Sequence, residues 1–249
     1  MRMDFWKKLS AVGAPLAHTW RGLAAAVGLV ALAGCMTPGP YDAARVGPFY
    51  VPTNHAGDPH LGGIRRVVLL PVFGGSVASS EMAAALDPVL AAALQREKRF
   101  EVVTLSRENS LRRFRAEAVS SAGALPADML AVLRQEFAAD AVMFVDLTVY
   151  RAYRPLALGL RAKLAAIDGT RLVWTFDDTF SAENPLVANA ARHHFVEEDH
   201  SGVPADFTPA VLQSPTKFAA YAATTMFSTL PPVAPAILPA GSGGRELSR

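Results

Sequence analysis

Three segments follow one another with only short connections: Ala141-Val-Met-Phe-Val-Asp-Leu-Thr-Val-Tyr150, Leu156-Ala-Leu-Gly-Leu-Arg-Ala-Lys-Leu-Ala-Ala-Ile167 and Arg171-Leu-Val-Trp-Thr-Phe-Asp-Asp-Thr-Phe-Ser181. Each alternates apolar and polar residues. Met143, Val145, Leu147 and Val149 share one face, with Asp146 and Thr148 on the other. Leu158, Leu160 and Leu164 oppose Arg161 and Lys163. Leu172, Trp174, Phe176 and Phe180 oppose Thr175, Asp177 and Thr179. A period of two is the signature of strands with one buried face. Arg154-Pro155 and Asp168-Gly169 punctuate the series as turns, the second a strong hairpin signal. The pattern predicts an antiparallel meander.

Upstream the pattern changes. Arg66-Val-Val-Leu-Leu-Pro-Val72 is a continuous apolar run, the mark of a strand buried on both faces. Phe73-Gly-Gly-Ser76 ends it, and an Ala/Leu-rich helix is predicted from about Ser80 to Lys98. Pro88 within it predicts a kink or a restart, with Asp87 as candidate cap. Phe100-Glu-Val-Val-Thr104 is a second short strand. Ser106 opens a helix with Leu111 and Phe114 on one face, and residues 126–138 form another, with Leu130, Leu133 and Phe137 at helical spacing. Downstream, Asn184-Pro185 starts a helix to about Glu198, and Ser214-Pro215 caps a last one to about Leu230. The order β-α-β-α-α-β-β-β-α-α describes an α/β fold: a single-domain sandwich with a mixed sheet, spanning residues 64–230.

This layout resembles the periplasmic lipoproteins related to the amino-terminal domain of TolB, the CsgG-like secretion lipoproteins and the lipoprotein activators of penicillin-binding proteins. The resemblance rests on Val67-Val-Leu-Leu-Pro71, Arg99-Phe-Glu-Val-Val103, Ala139-Asp-Ala-Val142, Ile167-Asp-Gly169 and Leu172-Val-Trp174. It implies an anticodon-binding-like, TolB-N-like fold and a non-enzymatic binding or assembly role among envelope proteins, with homo-oligomers among the outcomes. It transfers no site residue. The CsgG-like members also insert amphipathic hairpins into membranes, so an oligomeric secretion-channel subunit is an alternative. The strands here read better as one covered sheet.

The amino terminus carries Arg2, Lys7, Lys8 and Arg21 against one acid, Asp4, then the 13-residue uncharged run Gly22–Gly34. That is the architecture of a secretory signal peptide, and the run is too short to span a bilayer, which takes about 20 residues. Leu32-Ala33-Gly34-Cys35 resembles a bacterial lipobox, and Cys35 is the single cysteine of the chain. The resemblance implies recognition of Leu32, Ala33 and Gly34 by a signal peptidase. It also implies acylation of Cys35, palmitate included, and anchoring by two or three chains at about 0.8 kcal/mol per buried methylene. Met36 in place of an acidic residue resembles the outer-membrane sorting pattern and predicts the periplasmic face of that membrane.

Residues 36–63 contain five prolines and five glycines and read as a tether behind the lipidated cysteine; residues 231–249 read as a disordered tail. The 249 residues are 51% hydrophobic and 18% charged, which excludes bulk disorder, and one cysteine excludes a disulfide framework. The net charge of +2 hints at nucleic acid. Removing residues 1–34 leaves 20 basic against 21 acidic side chains, so the hint disappears with the signal peptide and no nucleic-acid partner is expected.

Other chemistry is thinly represented. His193, His194 and His200 lie near Glu197, Glu198 and Asp199, with His194 and Glu198 four apart, so a metal-binding or hydrolytic periplasmic enzyme is a second alternative. The HExxH spacing of zinc hydrolases is absent. Phe73-Gly-Gly-Ser76 lacks the Gly-Lys-Ser/Thr of a phosphate loop, and no Gly-x-Ser-x-Gly elbow occurs. No cofactor is expected. Arg107, Arg112, Arg113 and Arg115 form a basic run that reads as a solvated helix face or, less simply, a patch for an anionic partner.

Overall fold

A computed structural model describes residues 43–198 and 210–233 of the chain. The lipobox residues Leu32, Ala33, Gly34 and Cys35, and also His200, lie outside the described residues, as does the unit formed by residues 1–42.

The elements are α1 (Ala43–Val46), β1 (His55–Gly57), β2 (Arg66–Leu69), α2 (Ser80–Arg96), β3 (Glu101–Thr104) and α3 (Arg107–Phe114). They continue with α4 (Met129–Phe137), β4 (Ala141–Arg151), β5 (Ala157–Ala166), β6 (Leu172–Ser181), α5 (Pro185–Glu198) and α6 (Pro215–Ser228). The strands form one six-stranded sheet in the order β1-β6-β5-β4-β2-β3. β2 is parallel to β3 and β4, while β4, β5, β6 and β1 are antiparallel. The α/β class and mixed sheet expected from the sequence are what the chain forms.

Helix α2 packs on one face through Ala83, Leu86, Leu90, Ala93 and Leu94. Beside it lie α6, through Phe218, Tyr221, Met226 and Phe227, and α5, through Val187 and Ala191. Against them the sheet presents Val67, Leu69, Met143, Val145, Leu158, Leu160, Leu164, Trp174, Phe176 and Phe180. On the opposite face α3 and α4 bury Phe114, Met129 and Leu133 against Val68, Leu70, Val142 and Phe144. That second cover lies over β2 and β4 and reaches the Ala165 end of β5. The rest of the antiparallel half is helix-covered on one face.

The helix ends follow their capping residues. Ser79, Ser106 and Ser214 each accept a backbone N–H with the side-chain oxygen, from Met82, Asn109 and Lys217. Helix α2 runs unbroken through Pro88, so it does not restart there. Asp87 caps nothing; its carboxylate turns to the adjacent strand end and accepts the Val72 N–H at 2.9 Å. On α3 the buried pair is Ser110 and Phe114, one turn apart, while Leu111 is exposed.

The segment read as a tether is partly built into the fold. From Ala43 onward it carries α1 and β1; Ala44, Pro52 and Leu61 are buried, and β1 pairs with Trp174–Phe176 of β6. Proline and glycine content concealed this, because the partners of the segment lie more than a hundred residues away. The tail boundary shifts likewise: the Arg99 guanidinium donates to the Pro231 carbonyl at 2.7 Å, and Leu61 N–H donates to Pro232 O at 3.0 Å. Residues 234–249 lie outside the described residues.

Two bulges break the period-two reading. The β4–β5 register slips between Leu147 and Val149, so Val149 is exposed and Tyr150 packs on the core. The β5–β6 register slips between Leu164 and Ala165, which buries both Val173 and Trp174 and turns Leu172 out of the core, half exposed. Gly159 faces the first bulge. A Cβ there would collide with the Thr148 hydroxyl and lie 2.8 Å from the Val149 nitrogen.

Candidate binding face of the antiparallel half

The face of β5 and β6 turned away from α2, α5 and α6 displays Arg161, Lys163, Thr175 and Asp177, all half-buried. Cross-strand register sets them in rows. Asp146, Arg161 and Asp177 form one row across β4, β5 and β6; Phe144, Lys163 and Thr175 form the next. Among the described residues two clefts on this face share Lys163. One, of about 330 Å³, lies toward β1 between Asn54, His55, Arg161 and Asp177. The other, of about 400 Å³, lies toward α4 between Ser121, Leu125, Leu130, Phe144, Lys163 and Leu172.

The wall of the larger cleft is the loop at residues 119–125, held by Asp146. This carboxylate is 4% exposed and accepts from Ser120 Oγ at 2.9 Å, Ser121 N at 3.0 Å and Ser121 Oγ at 2.9 Å. A buried carboxylate must be satisfied in this way. Its lone pairs are committed to the loop, so its role is positional. Lys163 Nζ donates to the Ser121 carbonyl at 2.7 Å and secures the same loop from below. Opposite stands the β5–β6 turn, where Gly169 takes φ +72° and Asp168 Oδ1 accepts from both Thr170 N and Thr170 Oγ1. Those two bonds from Thr170 hold the Asp168 carboxyl below the usual carboxylate range. Arg171 is ion-paired with Asp58, and Arg161 Nε meets Asp177 Oδ2 at 2.7 Å.

The sequence-predicted residues are dispersed. The ring of His193 stacks on Phe49 at 4.3 Å, with Nδ1 2.9 Å from the Ala44 carbonyl oxygen and Nε2 3.1 Å from Glu197. Its work is to hold the α1 segment against α5. His194 lies against the Tyr221 ring, 5.9 Å between centroids. His193 and Glu197, also four apart, form a pair at 3.1 Å. Among the described residues no three His, Cys, Asp or Glu side chains cluster as metal ligands.

The basic run of α3 is split between separate partners. Arg107 Nε lies 2.7 Å from Asp87 and its Nη2 donates to the Val72 carbonyl at 2.8 Å. Arg113 pairs with Glu136 and lies over the Phe137 ring, Arg112 bonds Asn109, and Arg115 is the left-handed cap residue. Phe73-Gly-Gly-Ser76 forms a turn in which Gly74 O accepts from Val77 N and Ala78 N. The 220 Å³ cleft beside it includes Glu117, which accepts from Ser80 Oγ. Glu117 at that mouth disfavours a phosphate, and Arg107, which lines the same cleft, is already paired with Asp87.

Sequence reasoning passed over Asp146, Ser120, Ser121 and Lys163 as a group. The available signal was an acid at the centre of an otherwise apolar strand, a position that calls for dedicated hydrogen-bond donors.

No described helix is long and apolar enough to cross a membrane. No protein-family model matches the chain, and no curated protein matches it. Among solved structures it is similar to the PelC dodecamer of Paraburkholderia phytofirmans, at 10% identity over 69% of this chain and 96% of that one, with a TM-score of 0.38. It is also similar to lipoprotein GNA1162 of Neisseria meningitidis, at 16% identity over 48% and 85%, TM-score 0.35. A third is the hypothetical protein CT253 of Chlamydia trachomatis, at 11% identity over 66% and 91%, TM-score 0.38.

Proposed function

We propose that this chain is a lipid-anchored protein of the bacterial cell envelope, held at the periplasmic face of the outer membrane, where it binds and helps assemble envelope partners without catalysing a reaction. The observation that carries the reading is the position of Cys35. The only cysteine of the chain directly follows Leu32-Ala33-Gly34 at the end of a short apolar run behind a basic segment. Acyl chains there confine the domain to a membrane surface and raise its effective concentration toward partners in the same layer.

The binding role is supported by how the polar groups are used. Arg107, Arg113, Arg161, Arg171 and His193 are each engaged with a neighbouring carboxylate, as structural side chains are. The face of β5 and β6 turned away from α2, α5 and α6 offers a mixed-charge surface for a protein partner. Strands already paired in a sheet present such a surface with little backbone ordering cost on association.

The test is membrane fractionation of cells with detergent phase partition, comparing the wild-type chain with Cys35→Ala. The wild type is expected in the outer-membrane fraction and the detergent phase, and Cys35→Ala in neither in matured form. A matured Cys35→Ala chain that still fractionates with the outer membrane would overturn the reading.

A further inference from the structure

Lys163 differs from the other cations on its side of the sheet. Arg161 faces Asp177 and Arg171 faces Asp58, but among the described residues the Lys163 ammonium meets the Ser121 carbonyl alone, and no carboxylate of them lies within ion-pair distance of it. It is half-buried and lines the 400 Å³ cleft. An ammonium has three donors, so this one retains donors beyond the bond to Ser121. The rest of the lining is largely apolar: Phe144 and Ala165 at the floor, Leu130 at the side, and Leu125 and Leu172 exposed at the rim. The remaining polar side chains are occupied, Ser121 Oγ with Asp146, Thr170 Oγ1 with Asp168 and Arg171 with Asp58.

We propose that this cleft binds a single-chain fatty acid, its carboxylate paired with Lys163 and its methylenes lying along Phe144, Ala165, Leu130, Leu125 and Leu172. The chemistry of the lining selects this class. One cation without a counter-charge asks for one anion. A peptide would bring amides that the cleft cannot satisfy, because it opens on a sheet face and offers no strand edge; each amide buried unpaired costs about 1–3 kcal/mol. An alkyl chain brings none. The volume lies within the range of small-molecule sites and, at about 30 Å³ per atom-sized group, has room for on the order of a dozen non-hydrogen atoms, the size of decanoate. The proposal is independent of the acylation of Cys35.

The experiment is calorimetric titration of the full chain carrying Cys35→Ser, purified without detergent, with decanoate below its micelle concentration. Saturable one-to-one binding is expected. Decanol should bind at least tenfold more weakly, and decyltrimethylammonium and a short peptide ending in two leucines should give no saturable signal. Lys163→Gln should weaken decanoate at least tenfold. Because Lys163 also supports the 119–125 loop, Leu172→Glu provides a second arm: it places an anion at the exposed rim and should abolish decanoate binding with the fold intact by circular dichroism. Absence of saturable decanoate binding, equal binding of the cationic amphiphile, preferential binding of the peptide, or a folded Leu172→Glu chain that binds like wild type would each overturn the proposal.

Discussion

The Nδ1 of His193 lies 2.9 Å from the carbonyl oxygen of Ala44, across 149 positions of sequence. Around that bond the incoming segment is fastened to the domain. Phe49 stacks on the same imidazole, Tyr50 N donates to Leu186 O at 3.2 Å, and Tyr50 Oη donates to Asp178 at 2.6 Å. β1 then joins the sheet, and Leu61 enters the core fully buried.

A chain begun at residue 64, where the apolar pattern starts, should therefore be markedly less stable than one begun at residue 43. Burial of Leu61 contributes about 1.5–3 kcal/mol, and loss of the aromatic contacts and the β1 ladder adds to it. A deficit of at least about 3 kcal/mol corresponds to a melting temperature roughly 6–12 °C lower. Paired thermal unfolding checks this; equal melting temperatures would mean that the segment only rests on the domain.

The His193 clasp can be loosened by one substitution. His193→Ala should cost about 1–2 kcal/mol, from the lost stacking and the bond to Ala44. Limited proteolysis should then cut between residues 43 and 54 faster than in the wild type. A cleavage rate unchanged by the substitution would contradict the clasp.

Alkaline pH should weaken the fold through Tyr50 and Tyr221. Burial, foremost, pushes both phenols above their ordinary value, and for Tyr50 the hydrogen bond to Asp178 and its charge act in the same direction. A raised folded-state pKa means that the native chain keeps protons the unfolded chain releases. The stabilisation is complete below about pH 10 and is lost as pH rises above it, by up to about 1.4 kcal/mol per pH unit for each tyrosine. Denaturant titrations at pH 9, 10 and 11 should show this decline, shallower in Tyr50→Phe and shallower still in Tyr50→Phe/Tyr221→Phe. An identical slope in all three chains would refute the assignment.

Gly159→Ala tests the bulge in β4. The added methyl would meet the Thr148 hydroxyl and the Val149 backbone, so the strand must shift at a cost of about 1–3 kcal/mol. Thermal unfolding is sufficient here, and a neutral result would place the bulge elsewhere.

The Asp87–Arg107 pair joins α2, the end of β2 and the start of α3. Asp87 accepts from Val72 N and from two guanidinium nitrogens, while Arg107 also donates to Val72 O. Arg107→Ala and Asp87→Ala should each lose about 2–3 kcal/mol, and the double variant less than their sum, because one network is removed once. Strict additivity in a double-mutant cycle would show the two side chains acting separately.

Much of the sheet was legible because its signals are local. The alternation at Leu158, Leu160 and Leu164, the Asp168-Gly169 turn, and the caps Ser106 and Ser214 need only near neighbours to act. What escaped depends on distant partners. β1 has the composition of a linker and becomes a strand only because Trp174–Phe176 offer an edge. Val149 and Leu172 leave the core because a bulge reverses alternation, and a bulge leaves no mark in a hydrophobic pattern. The cleft was hidden for the same reason. Lys163 reads as an outward lysine on an alternating strand, and only the loop bound to Asp146 makes it one wall of a cavity.

Mass spectrometry of the amino-terminal peptide, from the protein isolated from membranes, reads the anchoring at Cys35 itself. The expected chain begins at Cys35 and carries a diacylglyceryl thioether with an N-acyl group. A mature chain with an unmodified Cys35, or one that begins at another residue, would contradict that anchoring.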